Sequence, residues 1–190
     1  MQDGERRHQA GKPDMIRPAF RDSLLDRSLT ALRTIWIALI ATVLVYVGVA
    51  LWITLTRPPL GGSDIAATVT PFLYAVALGA AVLAQWWRRF LAPERLLAAP
   101  SPTPRSAAAG MTPENESERR AHAAFGLLQK QSILIWALAD AIALCGFVVS
   151  IVTGNPRHVF ALAVVALVLL GANAPARARF EGVLTALARR

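Results

Sequence analysis

Four blocks of apolar residues, almost free of charge, constrain this chain more than any other feature of its sequence. Three of them cover Ile35–Leu55, Ile65–Trp87 and Ile133–Thr153, and each has the roughly 20 residues that a helix needs to cross a bilayer. The fourth begins at His158 and has an uninterrupted apolar run of only 14 residues, Val159–Ala172. Because lipid cannot form hydrogen bonds with backbone N–H and C=O groups, apolar segments that cross the bilayer must be helical. The sequence therefore predicts an all-α integral membrane protein with four transmembrane helices.

The composition excludes several other classes of protein. Hydrophobic residues make up 55% of the 190 residues and charged residues only 17%, whereas soluble domains carry about 25% charged residues. This balance excludes a soluble globular enzyme, a disordered chain and a fibrous repeat. The net charge of +8 would suggest nucleic acid as the partner of a soluble protein. Here the basic residues flank the apolar blocks, so the expected partner is the lipid bilayer. We expect no binding to nucleic acid.

The distribution of lysine and arginine predicts the orientation. Of the 20 basic residues, 18 lie before the first block, between the second and third blocks, or after the fourth. The two remaining connections hold one each, Arg57 and Arg157. Cytoplasmic segments are the ones enriched in lysine and arginine. We therefore expect a multi-pass protein of the bacterial inner membrane with both termini in the cytoplasm. The fourth block must then cross, since otherwise the arginines that follow it would lie outside.

The connections predict two antiparallel helical hairpins. The first and second blocks are joined by the turn-forming segment Arg57–Asp64, and the third and fourth by Gly154–Arg157. Amphipathic segments before the first and third blocks are expected to continue unbroken into those spans. The predicted organisation has five parts: a cytoplasmic N-terminal tail with an approach helix (1–33), a first transmembrane hairpin (34–87), a cytoplasmic proline-rich linker with an approach helix (88–131), a second transmembrane hairpin (132–175) and a basic cytoplasmic tail (176–190).

The C-terminal segment and the aromatic residues have interpretations of their own. Apolar residues alternate with arginines at helical spacing after residue 176, which leaves two alternatives: a helix lying on an anionic leaflet, or a frayed basic tail. Most of the tryptophans lie near the ends of the apolar blocks and are expected to act as interfacial anchors, as is one tyrosine. These residues are Trp36, Trp52, Tyr74, Trp86, Trp87 and Trp136.

Asp140 is the only acidic or basic residue inside any of the four blocks. It lies near the middle of the third block, where a carboxylate costs about 2.5–3.5 kcal/mol to insert. Such a group is expected to face other helices or a partner subunit. Two interpretations stay open: a reversible proton or cation site, and a protonated carboxyl that hydrogen-bonds another helix and fixes the packing. The hydrogen-bond partners at suitable depths are Thr42, Thr68, Thr70, Gln85, Ser150 and Asn173.

No other pattern in the sequence indicates chemistry. The single cysteine, Cys145, and the three histidines, His8, His122 and His158, show no ligand spacing, and neither a nucleophile–base pair nor a phosphate-binding loop is present. We therefore expect no metal, no cofactor and no enzymatic activity. The function expected first is that of an accessory or assembly component that packs its helices against a membrane-protein partner or a second copy. The alternative is translocation of a proton or cation through Asp140.

The segment Ile133–Val152, with Asp140, Ala141, Ile142 and Gly146, resembles the carboxylate-bearing helix of the proteolipid c subunits of rotary ATP synthases. In that family a mid-helix acid, followed by small and apolar residues and a glycine, binds the transported ion. The resemblance implies an ion-binding role for Asp140. The four-span pattern as a whole is similar to small uncharacterised bacterial membrane proteins, and this similarity implies no activity.

Overall fold

The computed structural model describes residues 18–90 and 116–188, and in these two ranges every regular element is an α-helix. The predicted all-α class is thus confirmed for the described chain. The start of the N-terminal tail and most of the proline-rich linker fall outside the described residues. The five helices are α1 (Pro18–Thr56), α2 (Ser63–Phe90), α3 (Glu116–Thr153), α4 (Arg157–Ala172) and α5 (Arg177–Ala188).

Helices α1 and α3 confirm that the approach segments run unbroken into the spans. They contain 39 and 38 residues, about 57 Å each at 1.5 Å per residue, against a hydrocarbon core of about 30 Å. The predicted boundaries after residues 33 and 131 therefore lie inside continuous helices. Three helices, α1, α2 and α3, are long and apolar enough to cross a membrane. Helix α4 has 16 residues, about 24 Å, and is shorter than the usual span.

Helix α3 is the centre of the fold, since it packs against each of the other four helices. Its most extensive contacts are with α4 and α2, and those with α1 come next. Helices α1 and α2 make at most marginal contact with each other, so the predicted pairing of the first hairpin is not confirmed. The connection between them supplies the reason: Leu60 N and Gly61 N donate to Ile151 O and Val152 O. This seals the C-terminal end of α3 and directs α2 onto α3.

The parts of α1 and α3 that precede the apolar blocks form a small bundle with α5. We call residues 18–33, 116–131 and 177–188 the terminal bundle. Its core is made of buried side chains from all three segments: Phe20, Leu24, Leu25, Leu29, Leu32, Ala121, Ala124, Phe125, Leu128, Phe180 and Leu184. The rings of Phe125 and Phe180 are 5.3 Å apart. The C-terminal segment thus adopts a third arrangement, a helix whose apolar side chains Phe180 and Leu184 pack on protein instead of lipid.

Candidate site around Asp140

Asp140 lies on the side of α3 that faces α1. It shares this side with Trp136, Ala143 and Phe147, which follow the three- and four-residue spacing of one helix face. The ring of Phe147 is 5.5 Å from that of Tyr46 on α1. The side chain of Asp140 is half-buried, and its Oδ1 atom is enclosed without a hydrogen-bond partner among the described residues. The position therefore places an unsatisfied carboxyl oxygen between two helices.

Tyr46 is a chemically relevant group near Asp140 that the sequence interpretation missed. It lies within electrostatic range of Asp140, and its phenol is one of the few polar groups in the first apolar block. A phenol can donate a hydrogen bond to a carboxylate or accept one from a carboxylic acid. The signal in the sequence was a tyrosine well away from either end of a span, where an interfacial role does not apply.

The six residues expected as hydrogen-bond partners do not reach the enclosed oxygen of Asp140. Thr42 and Thr68 donate to carbonyls one turn back on their own helices, Ala38 O and Asp64 O. Thr70 is half-buried and Gln85 is exposed on α2.

The other two are engaged around α4. Ser150 Oγ accepts the backbone N–H of Val159 at 2.8 Å, which ties α3 to the first turn of α4. Asn173 donates through Nδ2 to Leu169 O. Three of the six, Thr42, Thr68 and Asn173, thus bond to carbonyls one turn back in the chain.

Two tryptophans expected to anchor the protein in the interface instead bind the end of α4. Trp136 is fully buried, and its Nε1 donates to Asn173 O at 3.1 Å. Trp36 on α1 donates to Leu170 O at 3.0 Å. The last carbonyls of a helix have no partner within it, so these indoles from α3 and α1 satisfy the C-terminal end of α4. The anchor interpretation is therefore wrong for Trp136.

A second polar contact joins α2 to α4 near the opposite end of the fold. Tyr74 Oη and His158 Nδ1 are 2.9 Å apart, and their rings meet edge to face. This hydrogen bond gives Tyr74 a packing role in addition to any contact with headgroups. It lies beside a cluster formed by Ala77, Ile142 and Leu162, where α2, α3 and α4 meet.

The chemistry available around Asp140 is that of a single carboxyl group. Among the residues the structure covers, no three histidine, cysteine or acidic side chains come together in a way that could hold a metal ion. A hard cation requires several oxygen ligands, whereas the enclosed Oδ1 of Asp140 has no hydrogen-bond partner among the described residues. A proton needs only the carboxyl itself, so proton binding is the chemistry that this position supports best.

Comparison with protein-family models, curated proteins and solved structures finds no match to this chain.

Proposed function

We propose that this protein is a non-enzymatic integral membrane component that acts through helix packing, as an accessory or assembly subunit. The observation that carries the proposal is the outer face of α2. Only 6% of the apolar window of α2 is buried inside the protein, against 11% for α1 and 50% for α3. Helix α2 is thus attached along one side and leaves most of its surface to whatever surrounds the protein.

The outer face of α2 has the shape that a partner helix requires. An open apolar groove runs along it, lined by Ala75, Leu78, Gly79, Val82, Leu83 and Trp86. Ala75 and Gly79 are four residues apart, and a Cβ added at Gly79 would meet no atom within 4 Å. Small residues at this spacing let two helix backbones approach closely, which is what drives association where lipid is as apolar as the side chains. The occupant is a transmembrane helix of a partner or of a second copy.

Photo-crosslinking in native membranes tests this proposal. A photoreactive residue at Leu78, which is 67% exposed, is expected to give a defined adduct, whereas one at Leu44 on α1, which is 57% exposed, is not. The substitution Gly79→Leu fills the groove and is expected to reduce the adduct about fivefold or more. Gly48→Leu is the matched control, because Gly48 also has open space around it.

The mass of the adduct separates a second copy from a different protein. Equal crosslinking at Leu78 and Leu44, together with a monomer in mild detergent, would contradict the proposal.

The arrangement in the membrane is part of the same proposal: four crossings, two hairpins, and both termini in the cytoplasm of a bacterial inner membrane. The contacts of α4 support the fourth crossing, because its C-terminal end meets Trp36 and Trp136 at the level where α1 and α3 enter their apolar blocks. Its N-terminal end lies beside Ser150, near the opposite end of α3. A helix of about 24 Å thus covers nearly the depth of the longer spans. The eighteen basic residues on one side support the orientation.

Cysteine labelling tests this topology. A cysteine placed at Gly62, which is exposed in the first connection, is expected to react with a membrane-impermeant maleimide added to intact cells. A cysteine at Thr185 on α5, which is also exposed, is expected to react only after the cells are opened. The native Cys145 is buried and serves as the unreactive background. Labelling of both sites from outside would show that α4 does not cross.

A second candidate function, proton translocation through Asp140, is favoured by one observation: the Oδ1 atom is enclosed and unpaired. Carboxyl groups that serve only to join helices are expected to be hydrogen-bonded, because an unsatisfied buried acceptor costs about 1–3 kcal/mol. The proximity of Tyr46 and the resemblance of the segment around Gly146 to a proteolipid c subunit support the same function. An interhelical hydrogen bond as structural glue has less support here.

Comparing Asp140→Asn with Asp140→Leu separates the two roles of the carboxyl. Because Oδ1 has no partner, Asp140→Leu is expected to keep the free energy of unfolding or raise it by about 1–2 kcal/mol. If Asp140 carries protons, both variants abolish flux in proteoliposomes while the fold is intact, since neither can release a proton. Wild-type flux in Asp140→Asn would end the translocation hypothesis. A loss of stability in Asp140→Leu, rescued in Asp140→Asn, would show that the carboxyl joins the helices.

A further inference from the structure

Two side chains near the end of the apolar spans hold buried polar atoms without a hydrogen-bond partner among the described residues. Gln131 on α3 is 2% exposed, and neither its Nε2 nor its Oε1 makes a hydrogen bond. Trp87 on α2 has a buried Nε1 that is also unpaired. Buried amide and indole N–H groups are normally satisfied, and each exception requires an explanation such as an ordered molecule at the site. Gln131 Nε2 and Trp87 Nε1 are donors, so a molecule that satisfies these two N–H groups carries acceptor oxygens, whereas Gln131 Oε1 is an acceptor and needs a separate donor.

The packing of α2 on α3 puts Trp87 and Gln131 at one level. Ala77 of α2 and Ile142 of α3 belong to the same buried cluster. The two helices run in opposite directions, so Trp87, ten residues after Ala77, and Gln131, eleven residues before Ile142, lie at a similar level along the bundle axis. Eleven residues are close to three turns, so Gln131 also lies on the same face of α3 as Ile142.

Exposed basic residues lie at this level on α2 and α3, and the described stretches of these two helices around it hold no acid. Three exposed basic residues are adjacent in sequence to these side chains. Arg88 and Arg89 directly follow Trp87, and Lys130 directly precedes Gln131. The sequence has no aspartate or glutamate from Ile65 to Phe90 or from Arg119 to Ala139. The positive charge is therefore not neutralised by neighbours on these two helices, and an anion is favoured there.

We propose that Trp87, Arg88, Lys130 and Gln131 bind the phosphate headgroup of an anionic phospholipid in the seam between α2 and α3. The indole and amide N–H groups donate to the phosphate oxygens, and the two cations neutralise its charge. Within about one turn further into the apolar blocks, Leu83 and Leu134 are exposed apolar side chains against which the acyl chains pack. The inference needs only that α2 and α3 cross the membrane, and it is independent of any partner helix or of proton transfer.

Native mass spectrometry of the full chain in mild detergent tests the inference. Phosphatidylglycerol is expected to stay bound at least tenfold better than phosphatidylcholine. Each cation contributes about 1 kcal/mol of attraction to an anionic headgroup, which is roughly a fivefold gain in affinity, and the site has two cations. The double variant Arg88→Gln/Lys130→Gln is expected to lose this preference. The matched control is Arg57→Gln/Arg157→Gln, which removes the same charge from exposed positions in the two opposite connections and is expected to bind like the wild type.

The two donors are tested by Gln131→Leu and Trp87→Phe, which remove N–H groups and keep most of the apolar volume. Either variant is expected to weaken phosphatidylglycerol binding severalfold, with helical content unchanged by circular dichroism. Displacement of the lipid by millimolar inorganic phosphate would assign the site to a soluble anion and overturn the proposal. Equal retention of both lipids, or wild-type binding by the double charge variant, would overturn it as well.

Discussion

Replacing Trp136 with alanine is expected to lower the free energy of unfolding by about 3–5 kcal/mol, the usual cost of truncating a buried tryptophan. The side chain is 0% exposed and belongs to the main core cluster. The substitution opens a cavity between α1, α3 and α4. It also removes the indole that binds Asn173 O, so a carbonyl at the end of α4 loses its partner.

The measurement is unfolding in mixed micelles containing sodium dodecyl sulfate, followed by near-ultraviolet circular dichroism. Trp52→Ala is the matched control. Trp52 lies on α1 and is 58% exposed, so its truncation is expected to lower the free energy of unfolding by well under half as much. Trp136→Phe retains most of the volume and is expected to cost about 1–2 kcal/mol, mainly through the lost hydrogen bond. If Trp136→Ala and Trp52→Ala were equally stable, the burial of Trp136 against α4 would be refuted.

Gly146→Ala is expected to destabilise the protein by about 1–3 kcal/mol, the range for overpacking a close contact. A Cβ at this position would lie 2.8 Å from Leu162 Cβ, 3.1 Å from His158 O and 3.2 Å from Val159 Cα. Two of these atoms are backbone and the third is bonded directly to it, so the first half of α4 must move away from α3. The helix propensity of alanine recovers only about 1 kcal/mol of this cost.

Gly48→Ala is the matched control for this prediction. Gly48 also lies inside a span, but a Cβ there would meet nothing within 4 Å, so only the propensity gain remains and stability is expected to rise slightly. Both variants are compared with the wild type in the same unfolding assay. A Gly146→Ala protein as stable as Gly48→Ala would mean that α3 and α4 are not in backbone contact at Gly146.

The sequence was sufficient for those features that depend on composition along one helix. The length of the apolar blocks identified α1, α2 and α3, and the amphipathic segment before the first block predicted that α1 continues through its span. The sequence could not predict which helices contact each other, because side chains that face lipid and side chains that face protein are drawn from the same apolar residues. The role of α3 as the common neighbour depends on where Leu60 and Gly61 donate their N–H groups, a contact between segments distant in sequence.

The candidate site was predicted in part for a related reason. Asp140 was evident as the one charge within the apolar blocks. Its surroundings were not, since spacing gives the depth of a residue but not the direction it faces relative to another helix. Ser150 has a suitable depth yet bonds to Val159, and Tyr46 was passed over although it lies within electrostatic range of Asp140. The same limit hid the contacts of Trp36 and Trp136 with α4.

The unbroken course of α1 and α3 has a mechanical consequence. Each helix is a single stiff rod that joins the terminal bundle to the half of the molecule holding Asp140, with no joint where the rod enters the membrane. A torque on one end of an intact α-helix turns the other end, because its hydrogen bonds resist local twisting. The packing of α5 on the terminal bundle and the placement of Tyr46 relative to Asp140 are thus set on the same two continuous helices.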